Sequence, residues 1–234
     1  MKEKFIETRN YIRLMESFAR LKNLPKTAPK IGLGFGNFGL GKTFALERIT
    51  ANENVVLMRA AQVWSKKSVL EQLCGELGLA TTDGPARMYD RAVDELRREP
   101  RPIIIDEVDA ILRGDKYTVL ELFRDIHDET GIIVFMIGME EANAKLKRHR
   151  HYYSRVVEFV EFKVIGKDDL EKFCELSDIK IMPCLIDYFV TKYPNIRQIR
   201  VLLIRLEDAA KRNTIKECDE ATFRKLGIEN VGRE

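Results

Sequence analysis

Several function classes are excluded by what this chain of 234 residues has little of. It holds four cysteines, Cys74, Cys174, Cys184 and Cys218, without C-x-x-C spacing and without paired histidines. That pattern argues against a zinc site or a disulfide framework and suits reduced core thiols in a cytoplasmic protein. There is no signal peptide and no apolar run of about 18 residues, so a soluble chain without membrane contact is expected. Charge of one sign is not in excess: 40 Lys and Arg against 37 Asp and Glu leave a formal net charge of +3. Bulk charge therefore says little about nucleic acid, and only its distribution can. Residues 2–30 carry 8 basic against 3 acidic residues, and Lys145-Leu146-Lys147-Arg148-His149-Arg150-His151 is a second basic run without an acid. Trp64 is the single tryptophan and suits core or interface packing. No internal repeat or low-complexity linker interrupts the chain.

What is present is concentrated. Gly36-Asn37-Phe38-Gly39-Leu40-Gly41-Lys42-Thr43 matches the phosphate-loop pattern G-x-x-x-x-G-K-[ST] in full. Its glycines let the backbone N–H groups face phosphates, and the following helix offers its positive end. Lys42 suits the β- and γ-phosphates of ATP, and the Thr43 hydroxyl suits Mg²⁺. The context agrees, because Lys30 to Phe35 reads as a buried strand and Phe44 to Ile49 as a helix. Gly34-Phe35-Gly36-Asn37-Phe38-Gly39 also spells the dinucleotide fingerprint G-x-G-x-x-G. That reading needs an acid after the second strand, where Arg59 stands instead, and it leaves Lys42 and Thr43 unexplained.

A second element is Ile103-Ile104-Ile105-Asp106-Glu107. A β-branched run after Pro102 predicts a strand buried on both faces, with two carboxylates at its C-terminal edge. Ligands sit at that edge in open α/β sheets. Asp106 is the expected Mg²⁺ ligand through water, and Glu107 the group that orients and polarises the attacking water. The alternative is that these acids, with Asp109, only begin a helix over Val108–Leu112, where the helix dipole favours them. For Asp109 both readings can hold, while the spacing from the phosphate loop favours the catalytic reading of Asp106 and Glu107.

The coarse pattern alternates. Phe5, Ile12, Met15, Phe18 and Ala19 predict an amphipathic helix that ends before Pro25. Strands are predicted at Ile31–Phe35, Val55–Met58, Ile103–Ile105, Ile132–Ile137 and Val156–Val160, with helices between them. After Gly166 the pattern reads as wholly helical. This gives an α/β fold with a parallel, doubly wound sheet and three segments. They are an N-terminal helix and linker at 1–29, a nucleotide-binding core at 30–165 and a helical lid at 166–234.

A phosphate loop, an Asp-Glu strand and a helical lid together resemble the AAA+ ATPases. Tyr153-Ser154-Arg155-Val156 resembles the S-R element of initiator and clamp-loader relatives, which implies that Arg155 is a finger for a neighbour's γ-phosphate. Asn195-Ile196-Arg197-Gln198-Ile199-Arg200 resembles the lid motif, which implies that Arg197 contacts bound nucleotide. Ile132 to Met139 resembles the strand leading to the first sensor, although Gly138-Met139 departs from the polar residue many relatives place there. A guanidinium at a γ-phosphate stabilises its developing charge, and one supplied in trans would tie turnover to oligomerisation. Arg148, Arg150 and Arg200 are the alternatives to these two arginines.

A narrower resemblance is to transposition ATPases of the MuB and TnsC type. It rests on the compact chain, the Phe5-Ile6-Glu7-Thr8 opening and the I-G-M-E-E stretch followed by S-R. It implies an ATP-dependent, sequence-nonspecific binder of double-stranded DNA. Such a protein would form a helical homo-oligomer on target DNA, recruit a transposase and disassemble on hydrolysis. Lys66 and Lys67, with Lys116 from a neighbouring loop, are the residues implied at the phosphate backbone. Two alternatives remain: a helicase loader or remodeller, and a nucleotide-gated scaffold with negligible turnover.

Overall fold

A computed structural model describes residues 4–25, 27–112, 117–193 and 195–229. The chain begins with helix α1 (Arg9–Asn23), followed by β1 (Ile31–Phe35), α2 (Lys42–Asn52) and β2 (Val56–Arg59). Two helices, α3 (Lys66–Glu76) and α4 (Pro85–Arg98), then lead to β3 (Ile103–Asp106) and a 3-10 turn at Val108–Ala110. Next come α5 (Tyr117–Thr130), β4 (Val134–Gly138), α6 (Glu141–Lys147), α7 (Arg150–Tyr153) and β5 (Val156–Glu161). The remainder is α8 (Lys167–Cys174), β6 (Lys180–Ile181), α9 (Pro183–Lys192), α10 (Ile196–Asn213), β7 (Glu217–Cys218) and α11 (Glu220–Lys225).

The fold is α/β, with five parallel strands in the order β2-β3-β4-β1-β5. Ile103, Ile104 and Ile105 of β3 are fully buried, as a central parallel strand requires. Because all five strands run one way, their C-terminal ends share one edge. Register places Arg59 opposite Asp106, Ile105 opposite Met136 and Phe35 opposite Gly138.

The chain divides into two compact units. One comprises residues 13–37 and 42–162, and its core joins the strands to α3, α4 and α5. Trp64 is buried there against Phe123, 6.3 Å between ring centroids. The other comprises residues 1–12, 38–41 and 163–234. Its core joins Ile6 to the apolar faces of α8, α9, α10 and α11, including Leu170, Phe189, Leu203 and Phe223.

Three sequence expectations are corrected. The segment after Gly166 is not wholly helical, because β6 and β7 form a parallel two-residue pair. A two-residue strand shows no alternation, so periodicity cannot find it. The expected helix over Val108–Leu112 is only the 3-10 turn. Finally, Cys74, Cys174 and Cys218 are buried free thiols, but Cys184 is exposed in the first turn of α9. Among the described residues, no helix is long and apolar enough to cross a membrane.

Candidate nucleotide site

The phosphate loop runs from the end of β1 into α2, so Gly36–Thr43 lies at the C-terminal edge of the sheet. At Gly36 the chain passes so close to the next segment that an added Cβ would lie 2.6 Å from the Phe162 carbonyl oxygen. Gly39 turns through φ +72°, a left-handed conformation that side chains other than glycine avoid. Asn37 and Phe38 are exposed, Leu40 is buried, and Gly41, also at positive φ, delivers Lys42 to the first turn of α2. The Lys42 Nζ donates hydrogen bonds to the carbonyls of Gly36 and Asn37. Burial pushes the Lys42 ammonium below the usual lysine range, while the carboxylates of Asp106 and Asp109 partly oppose that shift. An ammonium held by two carbonyls in a partly dry site, within the field of nearby carboxylates, is well placed to exchange those carbonyl partners for phosphate oxygens.

β3 ends in the acidic pair. Asp106 is buried, and its Oδ1 accepts the Glu107 N–H at 2.8 Å. Burial raises the Asp106 carboxyl above the usual range, against the pull of that hydrogen bond, Arg59 and Lys42. Glu107 is the opposite, with an exposed carboxylate on a backbone at φ 54° and ψ 38°. A left-handed glutamate costs about 1–3 kcal/mol and persists where the surroundings force it, as they do at many functional sites. Arg59 completes the group: its guanidinium lies 3.7 Å from Asp106 Oδ2 and 3.7 Å from Glu107 Oε1. Thr43, Leu46, Glu47, Leu57, Arg59, Gln72 and Asp106 line one cleft at this edge.

Asp109 is buried rather than placed at a solvated helix start. Its Oδ2 accepts the Met139 N–H just beyond β4, and Lys145 Nζ lies 3.8 Å from Oδ1. A side chain at Gly138 would collide with this carboxylate, 2.6 Å from Oδ2. The departure at Gly138-Met139 is thus matched by a carboxylate that fixes the end of β4.

A model of the AAA domain matches residues 26–146, more than half of the chain. The chain belongs to the AAA domain family. A phosphate-loop AAA domain binds nucleotide, which accords with the geometry around Lys42. Curated proteins compared with the chain give no match. Among solved structures, the ORC2 protein of Aeropyrum pernix, in ADPNP–ADP complexes, has 16% identity and a TM-score of 0.71. That match covers 100% of this chain and 72% of the other. The ORC1 protein of the same organism, in complex with DNA, has 17% identity and a TM-score of 0.58, covering 96% and 66%. Domain III of the Thermotoga maritima replication initiation protein DnaA has 15% identity and a TM-score of 0.58, covering 95% and 92%. At such identities these likenesses establish a shared fold.

Arg155 follows α7 and is half-exposed, with Nη1 2.7 Å from Asp128 Oδ1 on α5. Arg197 is exposed in the first turn of α10, its backbone N–H capped by Asn195 Oδ1. Lys66 and Lys67 are the first two residues of α3 and both are exposed; Lys67 lies 3.6 Å from Glu71. Lys116 falls outside the described residues. Sequence reading missed Arg59 as a partner of the acidic pair. Its signal was available only through strand register, which sets it opposite Asp106.

Proposed function

We propose that this AAA domain hydrolyses ATP and uses the nucleotide cycle to assemble on double-stranded DNA without sequence preference. The carrying observation is the Asp106-Glu107 pair: a buried carboxylate beside a strained, solvent-facing one, at the sheet edge that holds the phosphate loop. In the proposed reaction, Glu107 orients a water for attack on the γ-phosphorus and accepts its proton. The bond to the β–γ bridging oxygen breaks, and ADP leaves. Lys42 and the loop N–H groups hold the β- and γ-phosphates. Thr43 and Asp106 are hard oxygen donors lining one cleft, so they fit Mg²⁺, which would neutralise charge on the phosphate oxygens. Arg155 acts as the finger toward a neighbouring subunit, for which its pairing with Asp128 must open. Arg197 contacts nucleotide within its own chain.

The finer reading follows the resemblance to MuB and TnsC. Residues 1–29, 30–165 and 166–234 act as helix and linker, core and lid. Helical homo-oligomers coat target DNA, recruit a transposase and disassemble on hydrolysis. Lys66 and Lys67 supply backbone contacts, with Lys116 beside them. Their placement supports this, because two cations open a helix whose dipole favours anions there, and the Ser65–Ser68 capping box holds that turn. A second reading, a loader or initiator-like remodeller, draws support from the fold likeness to the DNA-complexed ORC1 protein.

Electron microscopy on random-sequence duplex DNA, with ATP, with ADP and without nucleotide, tests the proposal. ATP-dependent coating of DNA, lost with ADP, is the expected result. Nucleotide binding without DNA-coated assemblies would contradict it and favour a loader or a scaffold.

A further inference from the structure

Three consecutive peptide carbonyls at the crest of the phosphate loop accept hydrogen bonds from within their own compact unit. The Phe38 carbonyl accepts from Asn195 Nδ2 at 3.4 Å, and the Gly39 carbonyl from the Ile196 N–H at 3.0 Å. The Leu40 carbonyl accepts from Asn10 Nδ2 at 3.2 Å. Both asparagines are buried, Asn10 at 5% exposure and Asn195 at 8%. Their amide orientations are forced by other partners. The Asn195 Oδ1 accepts the N–H groups of Arg197 and Gln198 as the N-cap of α10, so its Nδ2 faces the loop. The Asn10 Oδ1 accepts the Lys163 N–H at 3.0 Å, so its Nδ2 faces the carbonyls of Leu40 and Lys163.

A trans peptide points its carbonyl and its N–H in opposite directions. Fixing the carbonyls of Phe38, Gly39 and Leu40 on one side therefore turns the N–H groups of Gly39, Leu40 and Gly41 to the other. Those are the donors that a phosphate loop offers to a nucleotide. The fit is close, since an added Cβ at Gly39 would lie 2.0 Å from Asn195 Oδ1.

We propose that Asn10 and Asn195 are positioning residues that hold the loop peptides with their N–H groups aimed at the phosphates before nucleotide arrives. Neither touches the nucleotide; each acts through a loop carbonyl. The inference rests on the nucleotide-binding reading of Gly36–Thr43.

The discriminating variant is Asn195→Ser, which keeps an oxygen for the α10 cap but removes the donor to Phe38. ADP affinity by calorimetry, apo melting temperature and loop amide NMR shifts are read together. The expected result is ADP binding weakened about ten-fold, the scale of one lost hydrogen bond. The apo melting temperature stays within about 3 °C of wild type, and the Gly39, Leu40 and Gly41 amides shift before ADP is added. Unchanged affinity and unchanged loop amides in a variant that folds would overturn the proposal. Wild-type protein that binds no ADP would overturn the nucleotide reading itself, a distinguishable failure. Should Asn195→Ser not fold, wild-type protein still decides. Slow hydrogen exchange at the Nδ2 protons of Asn10 and Asn195 supports the clamp, and fast exchange at both overturns it.

Discussion

The end of β3 and the start of α3 both present charge on the same compact unit, by opposite means. At the end of β3 a carboxylate is buried, its neighbour sits in left-handed backbone and an arginine lies 3.7 Å from both. At the start of α3 two exposed lysines lie within a complete capping box, between Ser65 and Ser68, and one of them lies beside Glu71. The first arrangement costs stability and is retained, whereas the second costs little beyond an unfavourable dipole. A site that must hold charge out of water marks itself by strain and desolvation. A surface that tracks phosphates through water needs only placement, so it looks much like any solvated helix end.

The largest effect is expected at the proposed finger that completes the reaction begun at the end of β3. Arg155→Ala is expected to lower DNA-stimulated ATP turnover by about a thousand-fold while nucleotide binding by the monomer is preserved. Steady-state phosphate release alongside ADP titration checks this, and full turnover would move the finger to Arg148 or Arg150.

Replacing both Lys66 and Lys67 with Ala should weaken duplex binding and reduce the slope of log affinity against log salt by up to about 2. An unchanged slope, measured from 50 to 200 mM salt (roughly the range over which such slopes are resolved), would remove α3 from the DNA surface.

The smaller effects concern stability. Asp106 has its folded-state pKa raised by burial, so the folded chain holds that proton more tightly than the unfolded one. The associated stability is present in acid below the unfolded pKa and is lost as pH rises through the folded pKa. Asp106→Asn should therefore raise the melting temperature at neutral pH by about 2–4 °C, the shift that ~1 kcal/mol gives a chain of this size. The difference should vanish in acid. Glu107→Gly should likewise stabilise the apo protein by about 1 kcal/mol by relieving the left-handed backbone, at the expense of turnover. A loss of stability in that variant would mean that Glu107 is held by interactions worth more than its strain.

The elements that build the sheet were legible in the sequence wherever the local signal was strong. The run Ile103–Ile105 announced a central strand, and the glycine spacing of residues 36–43 announced the loop. Boundaries moved by a residue or two, as at β2, which starts at Val56 rather than Val55 and reaches Arg59. The less legible features depend on distant partners. Arg59 meets Asp106 only because of strand register, and Asp109 reaches Met139 across 30 positions. The clamp on the loop crest joins Asn10, Leu40 and Lys163, and separately Phe38 and Asn195. A lone asparagine in sequence carries no mark of such a role. Nor does any local signal set the left-handed backbone at Glu107, since glutamate has no preference for it.

The most direct test of the central claim, that the end of β3 is built for ATP hydrolysis, is single-turnover hydrolysis with the Glu107→Gln variant. It should be run beside an ATP-binding titration and in the presence of duplex DNA. The account predicts ATP affinity near that of wild type, hydrolysis slowed by at least about 100-fold and protein that stays on DNA. Hydrolysis at the wild-type rate, with normal release from DNA, would contradict it.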